Sequence, residues 1–235
     1  MTTISIVIPT YNEEANIGKL VSYVKENGND AVVDVIVVDG GSEDNTIKVA
    51  RAAGATAVLS RGTGRAAQMN HGASLASGSV LYFLHADCIP PATFTADVHQ
   101  AVEGGFDLGR YRTKFNSPKT ILRINEWFTR FDFFVCMGGD QTLFIKRSLF
   151  EEEGGFKEDM RIMEEYEFCH RVRKKGRYKI MKGQVLISAR KYDTNSWWQV
   201  QKANAAIVRM YKKGASQEEM LDTYKRLLTY RKNAF

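Results

Sequence analysis

The 235-residue sequence is 44% hydrophobic and 26% charged, proportions that exclude fibrous and intrinsically disordered classes. Lys and Arg number 33 against 27 Asp and Glu, and the resulting +6 is far short of a histone or ribosomal tail. Three widely spaced cysteines, Cys88, Cys136 and Cys169, form no CxxC pair, which argues against a zinc ribbon or disulfide framework and predicts reduced thiols in a cytoplasmic setting.

The first nine residues lack a basic start, and their apolar stretch is too short for a signal peptide. No run approaches the roughly 20 apolar residues that a membrane span requires, so a soluble protein is expected. Residues 4–9 are a β-branched run, the pattern of a strand buried on both faces. Asn12 is positioned to cap a helix through about residue 26, where Ile17, Leu20, Val21 and Val24 make a one-sided apolar stripe. Residues 32–38 predict a second buried strand ending in Asp39-Gly-Gly-Ser42, with a helix from about residue 44. A short strand over 56–60, a helix near 65–76 and a fourth strand over 80–84 follow, the last ending at His85-Ala-Asp87. Strand–helix alternation with short loops predicts a doubly wound, mostly parallel α/β sheet.

Beyond Pro90-Pro91 the pattern loosens. A helix near 93–102, a strand over 142–145, a helix over 164–175 ending at Gly176, and two short strands are expected. From Trp197 the chain reads as helix, with Trp197, Val200, Asn204, Val208 and Tyr211 along one side. Gly214-Ala-Ser216 breaks it before a last helix bearing Met220, Tyr224, Leu227 and Leu228. The expected organisation is one α/β domain over 1–190 and a helical C-terminal extension over 191–235, whose helices offer a surface for oligomer contacts.

In an open parallel sheet, ligands bind outside the carboxyl ends of the strands. Four loops meet that edge: Pro9-Thr-Tyr-Asn-Glu13, Asp39-Gly-Gly-Ser42, Gly62-Thr-Gly-Arg65 and His85-Ala-Asp87. Carboxylates, an arginine, glycines and helix N-termini on one edge suit a nucleotide diphosphate with a divalent metal. Taken singly, Asp39-Gly-Gly-Ser42 is also explained as a turn with a cap, and Asn12 as a cap alone. Gly62-Thr-Gly-Arg-Ala-Ala67 fits a dinucleotide fingerprint with Asp87 about 20 residues beyond, but it falls in the third β–α unit rather than opening the domain. His85 and His170 have no ligand spacing that supports zinc.

Charge is uneven along the chain. Residues 1–64 carry eight acids and five bases, whereas 171–191 carry nine bases and no acid. The basic segment suits a polyanion, phosphates or anionic lipid, and equally a solvated helix end and hairpin. No nucleic-acid motif accompanies it, so nucleic acid is not an expected partner. Peripheral contact with the inner face of a membrane through this basic C-terminal region is the corresponding expectation.

The sequence Val7-Ile-Pro-Thr-Tyr-Asn-Glu-Glu14, followed by Val37-Val-Asp-Gly-Gly-Ser-Glu-Asp-Asn-Thr46, resembles the opening of family 2 glycosyltransferases of the GT-A fold. It is similar in particular to a compact bacterial subgroup. Gly64-Arg-Ala-Ala-Gln-Met-Asn-His-Gly72, His85-Ala-Asp87, Gly138-Gly-Asp-Gln141, Gly154-Gly-Phe156 and Met163-Glu-Glu-Tyr-Glu167 extend the resemblance in the family's order over residues 4 to about 190. The resemblance implies a nucleotide-binding half over 1–90 and an acceptor half over 91–190. Pro9, Tyr11, Glu13 and Asp39 would line the base and ribose pocket, and Arg65 would lie near the base or diphosphate. His85-Ala-Asp87 takes the place of the family's Asp-x-Asp motif, so Asp87 would hold Mg²⁺ or Mn²⁺ while His85 departs from the pattern. Gly138, Gly139 and Asp140 would shape the acceptor side. Glu165 takes the place of the family's catalytic Asp, one methylene longer, with Glu164 as the other candidate. The implied reaction is inverting transfer of a sugar from a nucleotide diphosphate donor, a UDP-sugar in the first instance, to a hydroxyl acceptor. A sugar-phosphate nucleotidyltransferase would need a glycine-rich cationic loop after the first strand, where Pro9-Thr-Tyr-Asn-Glu-Glu14 stands instead. A basic module binding nucleic acid or a membrane surface is the non-enzymatic alternative.

Overall fold

The apolar run at the N-terminus forms β1 (Ile4–Thr10), in which every residue is buried. A computed structural model describes residues 2–133 and 141–229. The expected acceptor-side residues Gly138, Gly139 and Asp140 therefore lie outside the described residues. After β1 come α1 (Glu14–Gly28), β2 (Val32–Asp39), α2 (Thr46–Ala52), β3 (Thr56–Leu59), α3 (Arg65–Leu75) and β4 (Val80–Phe83). The second half contributes β5 (Cys88–Ile89), α4 (Phe94–Glu103), β6 (Leu108–Asn116), α5 (Leu122–Phe128), β7 (Leu143–Lys146) and α6 (Arg147–Glu152). It ends with α7 (Glu164–Val172), β8 (Tyr178–Ser188), α8 (Lys191–Thr194), α9 (Trp197–Lys212) and α10 (Gln217–Leu227).

The sheet order is β3-β2-β1-β4-β7-β6-β8-β5. Strands β1 to β4 pair in parallel, as strand–helix alternation requires. The second half makes the sheet mixed: β7 runs antiparallel to β4 and β6, β8 pairs parallel with β6, and β5 pairs antiparallel with β8. The two expected short strands near the C-terminus are instead the single long β8. Its register against β6 slips between Tyr111 and Arg112, where Lys182 and Gly183 bulge out. A Cβ on Gly183 would sit 3.0 Å from the Tyr111 ring, so the bulge brings backbone against an aromatic face.

Alternation along β1 divides the core. Ile4, Ile6 and Ile8 pack with Ile17, Leu20 and Val21 of α1 and Val98 of α4 on one face. On the other face Val7 meets Met69 of α3 and Phe168 and Val172 of α7. Close approach of α3 depends on Gly72, whose Cβ would lie 2.3 Å from Val7 Cγ1.

Ser196–Gln199 and Ser216–Glu219 capping boxes start α9 and α10. The buried stripe of α9 is Val200, Ala203 and Ile207, one residue round the helix from the expected one. Asn204 and Val208 instead line a cavity between α9 and the sheet. The C-terminal helices join two satellite clusters, one with Leu122 and Tyr192, the other with Met160 and Met163. Among the described residues, no helix is long and apolar enough to cross a membrane.

Candidate active site

The parallel register sets Thr10 opposite Asp39, so the ends of β1 and β2 open on the same edge. Asp39 is fully buried, and its carboxylate is taken up by its own turn. One oxygen accepts from Gly41 N at 3.0 Å and Ser42 N at 2.7 Å. The other accepts from Ser42 Oγ at 2.5 Å and Thr10 Oγ1 at 3.4 Å. Gly41 has φ +95°, a conformation the turn requires and side chains disfavour. Gln68, buried on α3, donates its amide to Thr10 O at 2.7 Å and Val38 O at 3.0 Å, binding both strand ends to the helix.

Asn12 does not cap α1. It adopts φ +53°, and its Oδ1 accepts from Glu43 N at 2.9 Å, while its own N–H donates to Ser42 Oγ at 2.8 Å. The helix begins two residues later, and its first N–H groups are satisfied from the neighbouring loop. Glu13 N donates to Thr46 Oγ1 at 2.9 Å and Glu14 N to Asp44 Oδ2 at 3.1 Å. A cap supplied in trans by the loop after β2 replaces the local cap expected from spacing. Pro9 is a buried strand residue opposite Val38, and Tyr11 is half-buried just beyond β1.

At the end of β4, Asp87 and Glu13 converge on one guanidinium. Arg190, two residues past β8, reaches Glu13 Oε1 at 2.5 Å and Asp87 Oδ2 at 3.0 Å. Burial works against the Arg190 charge, but the hydrogen bonds to both carboxylates outweigh it and push its pKa further up. Glu13 is held from the other side by Asn16 Nδ2 at 2.6 Å.

Beside them stand the glutamates of α7. Met163, a non-glycine residue at φ +68°, turns the chain into this helix and presents Glu164 and Glu165, both buried, toward β4. Glu165 Oε1 lies 3.2 Å from His85 Nε2. Glu165 Oε2 is buried with no hydrogen-bond partner among the described residues, and Arg65 stands 3.5 Å from it. Arg65 also lies 3.6 Å from Glu164, whose carboxyl is pushed above the usual range by burial and by the Glu165 charge, against the pull of Arg65. Glu167 serves the scaffold: it pairs with Lys157 and Arg171, each at 3.0 Å.

The structure thus gathers His85, Arg65, Glu164 and Glu165 into one group of ion pairs and Glu13 and Asp87 around Arg190, the two groups joined by the short His85-Ala-Asp87 segment, while Asp39 stays within its own turn. His85 and Glu165, the two positions that depart from the family pattern, are in direct contact. Sequence reasoning missed Arg190 and Gln68. Arg190 was hidden inside a basic run that suggested an outward charge, although Arg171 and Arg173 of the same run also find carboxylates, the largely buried Glu167 and the exposed Asp132. Gln68 stood in the quoted Gly64–Gly72 motif without a role. A cavity of about 720 Å³ opens between α9 and the second half of the sheet, lined by Thr129, Gln141, Tyr166, Asn204 and Val208 among others. Gln141 also lines a small void against Glu165, so the two spaces adjoin.

Comparison with known proteins agrees with this architecture. The glycosyl transferase family 2 model matches residues 5–146. Glycosyltransferase AglE of Haloferax volcanii is 27% identical over 172 residues, 65% of this chain and 55% of its own, so the chain spans about half the length of that relative. The mannosyltransferase PcManGT of Pyrobaculum calidifontis, solved with GDP-Man and Mn²⁺, superposes with a TM-score of 0.67 at 18% identity, over 96% of this chain and 70% of the other. Glucosyl-3-phosphoglycerate synthase of Mycobacterium tuberculosis, solved with Mn²⁺, UDP and glucosyl-3-phosphoglycerate, gives 0.59 at 20% identity, over 91% and 81%. With the fold shared by these GT-A structures and the family model covering more than half of its length, the chain belongs to glycosyl transferase family 2.

Proposed function

We propose that this glycosyltransferase moves a sugar from a nucleotide diphosphate donor, a UDP-sugar in the first instance, to a hydroxyl acceptor with inversion at the anomeric carbon. The observation that carries the reading is Glu165: one carboxylate oxygen is held by His85, and the other is buried and without a hydrogen-bond partner among the described residues. A carboxylate held by an imidazole on one oxygen, with a guanidinium 3.5 Å from the other, is oriented to take a proton from a hydroxyl brought against it. In the single displacement, the acceptor oxygen bonds to the anomeric carbon as the bond to the diphosphate breaks. The acceptor proton passes to Glu165 Oε2, and His85 keeps the carboxylate oriented. Arg65, within 3.6 Å of both glutamates and 43% exposed, supplies positive charge for the anionic donor on this reading. Glu164, pushed toward its neutral form, is the weaker candidate for the base.

Asp87 and Glu13 offer hard oxygen donors of the type Mg²⁺ or Mn²⁺ prefers. Among the described residues, no cluster of three or more His, Cys, Asp or Glu side chains forms a complete metal cage. The set fits an ion that would be held by Asp87 and completed by donor phosphates and water. Such an ion, when bound, supplies charge neutralisation to the departing diphosphate. We assign residues 1–90 to the donor, 91–190 to the acceptor with Gly138, Gly139 and Asp140 on that side, and 191–235 to a helical extension. Pro9, Tyr11 and Glu13 border the nucleoside, and Asp39 contributes through the turn it holds. Cys88 and Cys169 are not disulfide-bonded, which fits a cytoplasmic enzyme. Calorimetric titration of UDP and GDP, each with and without Mn²⁺, tests the donor reading. Mn²⁺-dependent binding of UDP above GDP is expected, preference for GDP would correct the base, and binding of neither would remove the reading.

A further inference from the structure

Eleven large apolar side chains are exposed among the described residues, and five of them fall within residues 121–133: Ile121, Ile124, Trp127, Phe128 and Phe133. Helix α5 buries only Leu122, so its composition is inverted for a surface helix of a water-soluble protein. The aromatics form one patch. Trp127 and Phe131 ring centroids are 4.6 Å apart, and Phe131 and Phe133 are 5.9 Å apart. Trp197 at the start of α9 donates to Asn125 of α5 at 2.9 Å and stands edge-on to its 68% exposed neighbour Trp198, ring centroids 4.7 Å apart. Isolated exposed apolar residues need no explanation, but a contiguous cluster of this kind marks a contact surface.

Charge around the patch narrows the occupant. Arg123 and Arg130 are exposed, and the Arg130 guanidinium lies 5.5 Å from the Trp127 ring centre. Of the acids of the segment, Glu126 is half-buried and accepts from Phe115 N at 2.8 Å, while Asp132 is exposed and paired with Arg173. The outward face therefore carries aromatic rings and two exposed arginines, with the charge of its exposed acid Asp132 offset by Arg173. Trp and Phe with Arg at their edge are suited to the headgroup layer of a bilayer, where rings enter the acyl boundary and guanidinium groups meet phosphates. Two copies of this face would oppose like charges, which disfavours a dimer across it. In the basic segment 171–191, Arg171 and Arg190 are paired with the largely buried Glu167 and Glu13, and Arg173 with Asp132 of the patch itself.

We propose that residues 121–133, with Trp198, form an interfacial surface that seats the protein on an anionic lipid bilayer. Phe128 and Asn125 also line the cavity of about 720 Å³, whose mouth carries the exposed Arg209 and Lys213. On the glycosyltransferase reading, docking would therefore turn the acceptor side of the cleft toward the membrane. The docking itself stands without that reading, and its test uses no enzymatic activity.

The test is co-sedimentation of the full chain with phosphatidylcholine vesicles and with phosphatidylcholine–phosphatidylglycerol vesicles. Binding to the anionic vesicles is expected, weakened by salt and about tenfold or more weaker in the Trp127→Ser/Phe128→Ser variant, given what each buried aromatic ring contributes. Arg123→Gln/Arg130→Gln should reduce binding to anionic vesicles alone. Should the double aromatic variant fail to fold, quenching of wild-type tryptophan emission by vesicles with brominated acyl chains reads insertion directly. The proposal is overturned if the wild type does not bind anionic vesicles, or if brominated chains leave the emission unchanged. It is equally overturned if the folded Trp127→Ser/Phe128→Ser variant binds like wild type while Lys174→Gln/Lys175→Gln does not, or if these aromatics instead hold a dimer that vesicles do not dissociate.

Discussion

Replacing Asp39 with alanine removes the acceptor around which the β2 turn is built. Two backbone N–H groups, from Gly41 and Ser42, and the Ser42 hydroxyl lose a charged partner at 2.5–3.0 Å. Hydrogen bonds to a charged group contribute about 1.5–3 kcal/mol each, and re-solvation of the half-buried donors recovers part of that, leaving a net loss of roughly 3–4 kcal/mol. For a chain of this size such a loss lowers the melting midpoint by about 10 °C. Ser42 also holds Asn12 N, so the loop after β1 should loosen with it. Asp39→Asn should fall between, because its amide retains one accepting oxygen but turns an NH₂ toward the N–H donors. Thermal unfolding followed by circular dichroism, paired with UDP titration of the folded variant, reads both effects. Unchanged melting of Asp39→Ala would refute the turn account, and if UDP binding were lost in that same variant, the carboxylate would serve the nucleotide directly.

Arg190→Gln should barely change stability, since a half-exposed ion pair contributes about 0–1 kcal/mol, yet it leaves Asp87 and Glu13 without their shared cation. Calorimetry should then show tighter Mn²⁺ binding to the nucleotide-free protein and weaker binding of UDP; weaker Mn²⁺ binding would contradict competition between guanidinium and metal. Glu164→Gln should raise the melting midpoint at pH 8. Burial lifts the folded carboxyl above its unfolded value, so the stability tied to its neutral form is full below about pH 4 and lost as pH rises through the folded pKa. The gain over wild type should accordingly shrink as pH falls toward 4, and a gain independent of pH would count against the buried charge.

The first half of the sheet was readable because its signals are local and periodic. The β-branched run of β1, the Val35–Val38 part of β2 and the stripe Ile17, Leu20, Val21 and Val24 bury as expected, since parallel strands covered on both faces leave little freedom, whereas Val33 at the start of β2 is exposed. The mixed half was less readable. A bulge such as that at Gly183 depends on what Tyr111 packs against, which no window of sequence contains. Site residues carried on the strand ends Asp39, His85 and Asp87 announced themselves through their place after apolar runs. Arg190 did not, because its partners Glu13 and Asp87 are more than a hundred residues away and its neighbours in sequence are also basic. The Asn12 cap failed for the same reason: Thr46 and Asp44 reach α1 from another loop and leave Asn12 free to take φ +53°.

Glu165→Gln tests the central claim most directly. The substitution keeps size and leaves Arg65, His85 and Glu164 in place, so it isolates proton acceptance from packing. The measurement is the rate of Mn²⁺-dependent hydrolysis of the sugar nucleotide bound best, with water standing as acceptor, alongside donor affinity in the same preparation. A base acting only in the transition state predicts unchanged affinity and a rate lower by about 10²–10⁴-fold. A Glu165→Gln protein that binds and hydrolyses its donor as fast as wild type would contradict the account.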